Sequence, residues 1–87
     1  MTNIEYDGDF EKQVANLQLP QRRKLAAQLA RMVENPYDSR LHTKPLSEPF
    51  AGILSFRITR DWRVTFHFVN PTTVRLLEVK HRKDIYR

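Results

Sequence analysis

The sequence contains no cysteine and only two glycines, Gly8 and Gly52. Without cysteine, neither a disulfide framework nor a thiolate metal site can hold the fold, and so few glycines exclude a glycine-rich phosphate-binding loop. The first residues have no basic segment, and no apolar run is long enough for a signal peptide or a membrane span. These absences predict a cytoplasmic protein with no membrane partner.

Acidic residues are scarce in the second half of the chain. Residues Arg40 to Arg87 include four Asp/Glu against ten Lys/Arg, whereas Met1 to Ser39 include six against five. Two-metal phosphodiester chemistry needs clustered carboxylates, and His42, His67 and His81 lack the spacing of a metal site. We therefore expect neither a metal nor a cofactor. The positive field predicts a polyanionic partner, and nucleic acid is favoured over an acidic protein.

The length of 87 residues, with 40% hydrophobic and 29% charged residues, predicts one globular domain over residues 1–87. A short strand over Asn3–Tyr6 precedes a turn in which Asp9 is placed to cap a helix. Apolar residues at helical spacing then predict a hairpin of two helices, the first from about Asp9 and the second over 20–34. The apolar residues of these two stripes are Phe10, Val14, Leu17, Leu25, Leu29, Met32 and Val33.

Alternating apolar and polar residues predict antiparallel strands in the second half. In 53–59, Leu54, Phe56 and Ile58 share one face, and in 62–69 the core face carries Trp62, Val64, Phe66 and Phe68. A further strand covers 73–80, where both faces are apolar and periodicity does not orient it, and Lys44-Pro45-Leu46 is a possible edge strand. The prediction is an α+β fold with a short N-terminal strand, a helical hairpin and a meander of three to four strands. The helices cover one sheet face and leave the other open.

The open face carries residues that could cleave RNA without a metal. Such cleavage uses the neighbouring 2′-hydroxyl as nucleophile, so a protein must take its proton, neutralise the phosphate and protonate the leaving oxygen. Arg57 and Arg63 are suited to brace the phosphate, although a solvated strand face is an equal alternative. His81 could transfer protons, or it could simply end the last strand.

Lys44 and Tyr86 are the remaining candidates for chemistry. Lys44 could act as a base where neighbouring arginines favour its neutral form, and otherwise it is a phosphate contact. Tyr86 could stack on a base, donate its phenolic proton, or only pin the C-terminus against the core. Four further residues are expected to contact RNA, namely Ser55, Arg60, Arg82 and Lys83.

Three segments resemble the RelE/ParE toxin superfamily. They are Phe56-Arg57-Ile58-Thr59, Trp62-Arg63-Val64-Thr65-Phe66 and Val79-Lys80-His81-Arg82-Lys83-Asp84-Ile85-Tyr86-Arg87. The order of elements also resembles that of the family over nearly the whole chain. Asp61-Trp62 is similar to the YafQ branch and Arg57-Ile58-Thr59 to the YoeB branch. Lys44 stands in place of a YoeB-like glutamate, and Ser55 and Arg57 replace a RelE-like pair of lysines.

The resemblance implies the toxin of a type II toxin–antitoxin pair, an mRNA endoribonuclease that acts in the A site of the 70S ribosome and inhibits translation. The implied partners are the ribosome with its mRNA and a cognate antitoxin protein, with which the toxin would form a hetero-oligomer. Carried over by position, Arg57 and Arg63 brace the phosphate and Arg82 adds a contact. His81 transfers a proton, Tyr86 orients or stacks on a base, and Lys44 is an auxiliary base.

Two alternatives stay open at this point. A ParE-like inhibitor of DNA gyrase shares the fold and the basic C-terminal run but does not cleave RNA, and a regulatory nucleic-acid-binding module would have no activity. The combination of Lys44, Arg63, His81 and Tyr86 favours the nuclease, because a protein that only binds gyrase does not need groups for proton transfer.

Overall fold

A computed structural model describes residues 1–86, so Arg87 at the end of the basic closing run lies outside the described residues. Two short 3-10 turns, Ser39–Leu41 and Arg82–Asp84, accompany the helices and strands. The main elements are β1 (Asn3–Tyr6), α1 (Phe10–Ala15), α2 (Leu19–Glu34), β2 (Lys44–Pro45), β3 (Leu54–Arg57), β4 (Trp62–Asn70) and β5 (Thr73–His81).

The strands form one five-stranded sheet in the order β1-β5-β4-β3-β2. The pairs β2–β3, β3–β4 and β4–β5 are antiparallel, whereas β1 runs parallel to β5 at the edge. The predicted α+β class is therefore confirmed. The N-terminal strand β1, the helical hairpin, the short edge strand β2 and the meander follow one another in the expected order. Asp9 is the N-cap residue of α1 as expected, but its side chain makes no capping hydrogen bond.

The hydrophobic core lies between the helices and one face of the sheet. Burial of each large apolar side chain contributes about 1.5–3 kcal/mol, and this burial holds the amphipathic helices on the sheet. The buried side chains include Phe10, Leu17, Leu25, Met32, Leu41, Phe56, Ile58, Val64, Phe66, Val74 and Leu76. Apart from Val33, which is only partly buried, the apolar residues of the predicted stripes lie in the core or pack against it, as does Trp62.

A β-bulge in β5 decides which way the end of that strand faces. Thr65 of β4 lies opposite Glu78, but the next residue, Phe66, lies opposite Leu76, so Leu77 is an extra residue in β5. An extra residue reverses the alternation beyond it. Lys80 consequently faces away from the helices, although an uninterrupted strand would turn it into the core.

Helix α1 supports the strand just beyond the bulge. The backbone N–H of Val79 donates a hydrogen bond of 2.7 Å to Oε1 of Gln13. A bulge disturbs the ladder locally and leaves backbone groups in need of other partners. Gln13 supplies one such partner and ties the C-terminal part of β5 to α1.

The sheet face away from the helices, predicted to be open, is partly covered. Side chains from the segment between β2 and β3, together with Ile85 from the C-terminal turn, form a groove over it. Ser55 and Thr65 on this face are only 0% and 5% exposed. The expectation of an open face was therefore wrong near β3, because alternation reports the side of a sheet and not what covers it.

Gln28 is a buried polar residue that connects α2 to the end of β3. It is 4% exposed, and its Nε2 donates to the backbone oxygens of Arg40 at 2.9 Å and Arg57 at 2.7 Å. Its Oε1 accepts a hydrogen bond of 2.7 Å from Nη1 of Arg31. All polar atoms of the amide group thus have partners, and the backbone of Arg57 is held against the helix.

Replacing Gln28 with leucine is expected to lower the free energy of unfolding by about 2–4 kcal/mol. The reason is that the backbone oxygens of Arg40 and Arg57 and the guanidinium of Arg31 each lose a partly buried hydrogen-bond partner. Urea denaturation measures this change. Gln21→Leu on the same helix is the matched control, since Oε1 of Gln21 is buried with no hydrogen-bond partner within residues 1–86. We expect the control to change stability by less than about 1 kcal/mol. Equal losses in the two variants would contradict the proposed role of Gln28.

Candidate active site

Three basic residues form a row across adjacent strands on the face away from the helices. Arg57 of β3 lies directly opposite Arg63 of β4, which in turn lies directly opposite Lys80 of β5. Neighbouring strands are about 4.8 Å apart, and like charges that face each other across strands are destabilising. Oε2 of Glu78 lies 3.1 Å from Nζ of Lys80, so the uncompensated repulsion in the row is that between Arg57 and Arg63. A facing pair of arginines of this kind is typical of a phosphate-binding surface.

Arg63 at the centre of the row is electrostatically strained. Its partial burial, followed by the positive charges of Arg57 and Arg82, lowers the pKa of its guanidinium. Among residues 1–86, no carboxylate forms an ion pair with Arg57 or Arg63, and Nε of Arg57 is buried without a hydrogen-bond partner. An anion bound at Arg63 would relieve the repulsion between the two guanidinium groups.

A cleft of about 410 Å³ opens beside Arg63, between the edge strand β2 and the C-terminal turn. None of its lining residues within 1–86 is acidic, and four of them are Lys or Arg. It brings together most of the residues predicted to act on RNA. These are Lys44, Ser55, Arg63, Arg82, Lys83 and Tyr86, with Leu46 and Ile85 as apolar walls.

Ser55 lies in the wall of the cleft rather than on an open surface. Its side chain is fully buried, and its Oγ has no hydrogen-bond partner within residues 1–86. Lys44 is its direct neighbour across the β2–β3 pair. Ser55 is therefore not on an open surface, and only a group that enters the cleft could reach it; its contact with RNA stays a prediction. An unpaired buried hydroxyl is costly, and a phosphate oxygen is an acceptor that it could serve.

Tyr86 forms the rim of the cleft. Its hydroxyl accepts a long hydrogen bond of 3.5 Å from the backbone N–H of Ser47, and its ring lies 5.7 Å from that of Phe50. The hydrogen bonding from Ser47, followed by the positive charge of Lys44, lowers the pKa of the phenol. Tyr86 therefore both pins the C-terminal segment and presents a more acidic phenol to the cleft.

Three predicted site residues lie outside the cleft lining. Arg57 stands next to Arg63 but does not border the cavity, and Arg60 is exposed in the bend between β3 and β4. His81 lies opposite Trp62, and the two rings form an edge contact at 5.2 Å. By alternation, this places His81 on the opposite side of the sheet from Lys80.

The contacts of His81 suit a positioning role. Its Nδ1 accepts a hydrogen bond of 3.3 Å from the backbone N–H of Lys83, and it caps the 3-10 turn Arg82–Asp84. That turn carries Arg82 and Lys83 to the cleft. The proton transfer predicted for His81 stays a prediction.

The RNA cleavage predicted from the sequence is expected to stay within about threefold of its original rate when His81 is replaced with asparagine, because the amide oxygen can occupy the place of Nδ1 and still cap the turn. His81→Leu, which has no acceptor, is expected to lower the rate by about tenfold. Single-turnover cleavage of one RNA over a range of pH compares the two variants. Equal losses in both, together with a changed pH profile, would make His81 a proton-transfer group instead.

Residues 1–86 contain no group of three or more His, Asp or Glu side chains that could hold a metal ion. Over the same residues, neither helix has the length and apolar character needed to cross a lipid bilayer.

The basic row and the cleft also include three residues that no sequence pattern indicated. These are Lys80 in the row, and Leu46 and Ile85 in the walls of the cleft. Lys80 was missed because the bulge that turns it outward leaves no clear local signal. Leu46 and Ile85 are apolar residues in short irregular segments, and nothing in their spacing predicts that they wall a cavity. The one related feature of the sequence is that apolar residues occur on both faces of β5, which is typical of a strand whose alternation is broken by a bulge.

The fold is similar to those of several solved toxins. The chain matches YafQ from E. coli strain BL21(DE3) with a TM-score of 0.73 and 21% identity over 100% of both chains. It matches a YoeB/ParE toxin from Agrobacterium tumefaciens with a TM-score of 0.78 and 13% identity, over 93% of this chain and 99% of that one.

A third similar structure is the heterotetrameric YoeB-YefM toxin–antitoxin complex from Staphylococcus aureus, with a TM-score of 0.73 and 14% identity over 92% of this chain and 95% of that one. At such identities these likenesses show the fold alone. No curated protein sequence matches the chain significantly. The family model described as the ParE toxin of the type II toxin–antitoxin system parDE matches residues 4–86, and the chain therefore belongs to this family of toxins.

Proposed function

We propose that this toxin is an endoribonuclease that cleaves mRNA on the ribosome and so inhibits translation. The observation that carries the proposal is the cleft around Arg63. It combines the guanidinium of Arg63, which no carboxylate among residues 1–86 pairs, a buried hydroxyl with no hydrogen-bond partner among the same residues, and a tyrosine of lowered pKa. Together these groups fit a phosphodiester and one of the two proton transfers that its cleavage requires.

Arg63 would hold the scissile phosphate, with Arg57 and Lys80 on either side strengthening the positive field. Guanidinium groups bind phosphate oxygens in a bidentate manner and keep their charge at neutral pH. Ser55 would donate its hydroxyl hydrogen to the same phosphate from the cleft wall. As the phosphorus becomes pentavalent, the added negative charge is stabilised by groups that are already in place.

Tyr86 and Lys44 would carry the proton transfers. The Tyr86 phenolate takes the proton of the 2′-hydroxyl, whose oxygen bonds to phosphorus while the bond from phosphorus to the 5′-oxygen breaks. The ammonium group of Lys44 donates a proton to the leaving 5′-oxygen. The products are a 2′,3′-cyclic phosphate and a 5′-hydroxyl, and no metal or cofactor takes part in the scheme.

The ribosome and an antitoxin are the proposed partners. The 70S ribosome would present mRNA in its A site and hold the backbone at the angle that attack requires, since this cleft has few groups to orient RNA by itself. Solved neighbours include the E. coli DinJ-YafQ complex and the YoeB-YefM complex, which supports a cognate antitoxin and a hetero-oligomer for this chain as well. We expect cytoplasmic action, where both partners would meet the toxin.

The test is to incubate the purified toxin with programmed 70S ribosomes and one defined mRNA, and to map new 5′ ends by primer extension. A second mRNA carries a 2′-O-methyl group at the cut position, which removes the nucleophile and should prevent cleavage. Free RNA without ribosomes is run in parallel. Absence of cleavage on ribosomes, or cleavage of the 2′-O-methyl RNA, would contradict the proposal.

Inhibition of DNA gyrase is the second candidate function. The observation that favours it is the description of the matching family as the ParE toxin of parDE. A supercoiling assay with purified gyrase tests it on the same protein preparation. Loss of supercoiling together with intact mRNA would establish this alternative.

A further inference from the structure

A second groove lies directly beside the cleft, and we call it the base groove. It has a volume of about 190 Å³ and apolar walls formed by Leu46, Phe50, Ile53, Leu77 and Ile85. Leu46 and Ile85 border both cavities, and the ring of Phe50 contacts that of Tyr86 at the rim of the cleft. The two cavities therefore form one continuous surface, charged at one end and apolar at the other.

The distance between the two ends fits one nucleotide. Lys80 lies directly opposite Arg63, and Glu78 is two residues before Lys80 on the same face of β5. Diagonal neighbours of this kind lie about 7–8 Å apart, with the Cβ atoms slightly closer. A base and its phosphate are joined through a single ribose, so a phosphate on Arg63 places an attached base near Glu78.

The polar groups of the base groove present an acceptor beside a donor. Oε2 of Glu78 lies 3.1 Å from Nζ of Lys80, and both residues line the groove. The carboxylate can accept two hydrogen bonds and the ammonium group donates them. The Watson–Crick edge of guanine has the complementary pattern, with two N–H donors next to the O6 acceptor. The other three bases offer a carboxylate a single donor position on this edge.

We infer that the base groove is a guanine-binding subsite, which would make the toxin prefer RNA with guanine beside the phosphate held by Arg63. Glu78 accepts from N1–H and N2–H, Lys80 donates to O6, and the apolar walls enclose the faces of the ring. The inference rests on the proposed function, because it uses the cleft as the site of the RNA phosphate.

The test is a titration of the ¹⁵N-labelled toxin with 3′-GMP, 3′-AMP, 3′-CMP, 3′-UMP and inorganic phosphate, followed through the backbone amides. We expect 3′-GMP to bind about tenfold more tightly than 3′-UMP, as one good bidentate base contact allows. The amides of Phe50 and Leu77 should shift with 3′-GMP and not with phosphate. Glu78→Gln should reduce the affinity for 3′-GMP to that for 3′-UMP. The matched control Glu34→Gln, at the exposed end of α2, should keep the preference.

Equal binding of the four nucleotides, or a guanine preference that survives Glu78→Gln, would overturn the inference. The outcome also separates it from the proposed function. Inorganic phosphate could shift the amide signals around Arg63 while no nucleotide binds more tightly than phosphate. In that case the base subsite is disproved and the role of the cleft in binding phosphate is retained. If neither phosphate nor nucleotide shifts them and ribosomes show no cleavage, both are wrong.

Discussion

Replacing Arg63 with alanine is expected to lower the rate of mRNA cleavage on the ribosome by about 10²–10³-fold, the cost of losing a principal electrostatic contact to the transition state. Arg63 is the centre of the basic row and the one member of it on β4, so the cleft would lose its strongest phosphate ligand. Arg63→Lys keeps the charge but loses the bidentate geometry, and an intermediate rate is expected. Single-turnover primer extension measures all three proteins.

Arg75→Ala is the matched control for this experiment. Arg75 is also an arginine of the sheet, but it forms ion pairs with Glu5 at 3.4 Å and Asp7 at 3.3 Å. Its removal changes the net charge by the same amount without touching the cleft, and we expect less than about a threefold effect. If the two variants lose activity equally, overall charge and not the cleft controls the reaction, and the proposed role of Arg63 is wrong.

Replacing Tyr86 with phenylalanine is expected to lower cleavage by about 10²-fold, the usual contribution of a positioned proton acceptor. The phenolate is the active form, so the rate should rise with pH and level off above the pKa of Tyr86. Because hydrogen bonding from Ser47 and the charge of Lys44 lower that pKa, levelling off should occur below the usual value of about 10. The rise of the rate with pH is measured in single-turnover cleavage, and Tyr86→Phe should abolish this pH-dependent limb of the profile.

Tyr37→Phe is the control for the loss of a phenol group. Tyr37 is 60% exposed and stacks on Phe68 at 6.1 Å, among residues that do not line the cleft. Its variant should retain both the rate and the pH limb. A rate that falls with rising pH in the unchanged toxin, and becomes flat in Tyr86→Phe, would instead assign Tyr86 the role of proton donor.

The alternation of side chains along β3 and β4 was sufficient to predict the central feature of the site. Every second residue of a strand faces the same side, which is a property of the extended backbone and requires no knowledge of the partner strands. Arg57 and Arg63 could therefore be assigned to the face opposite Phe56 and Val64, and the structure places them directly opposite each other. The basic C-terminal run likewise predicted cations near this face.

Other parts of the site depend on contacts between distant segments. Ser55 has the expected orientation, but its burial results from a segment between β2 and β3 whose folding over the sheet has no periodic signal. The direction of Lys80 results from the bulge at Leu77, which Gln13 of a remote helix supports. His81 follows Lys80 and therefore faces the other way, against Trp62.

Local periodicity and composition are sufficient to predict the class of fold, the face on which the strand arginines lie and the sign of the charge around them. Which of the candidate residues share one cleft depends instead on how distant segments pack in the folded chain. That selection depends on strand register, on one extra residue in β5 and on the cover over the sheet, all of which are set by the packing of segments far apart in the chain.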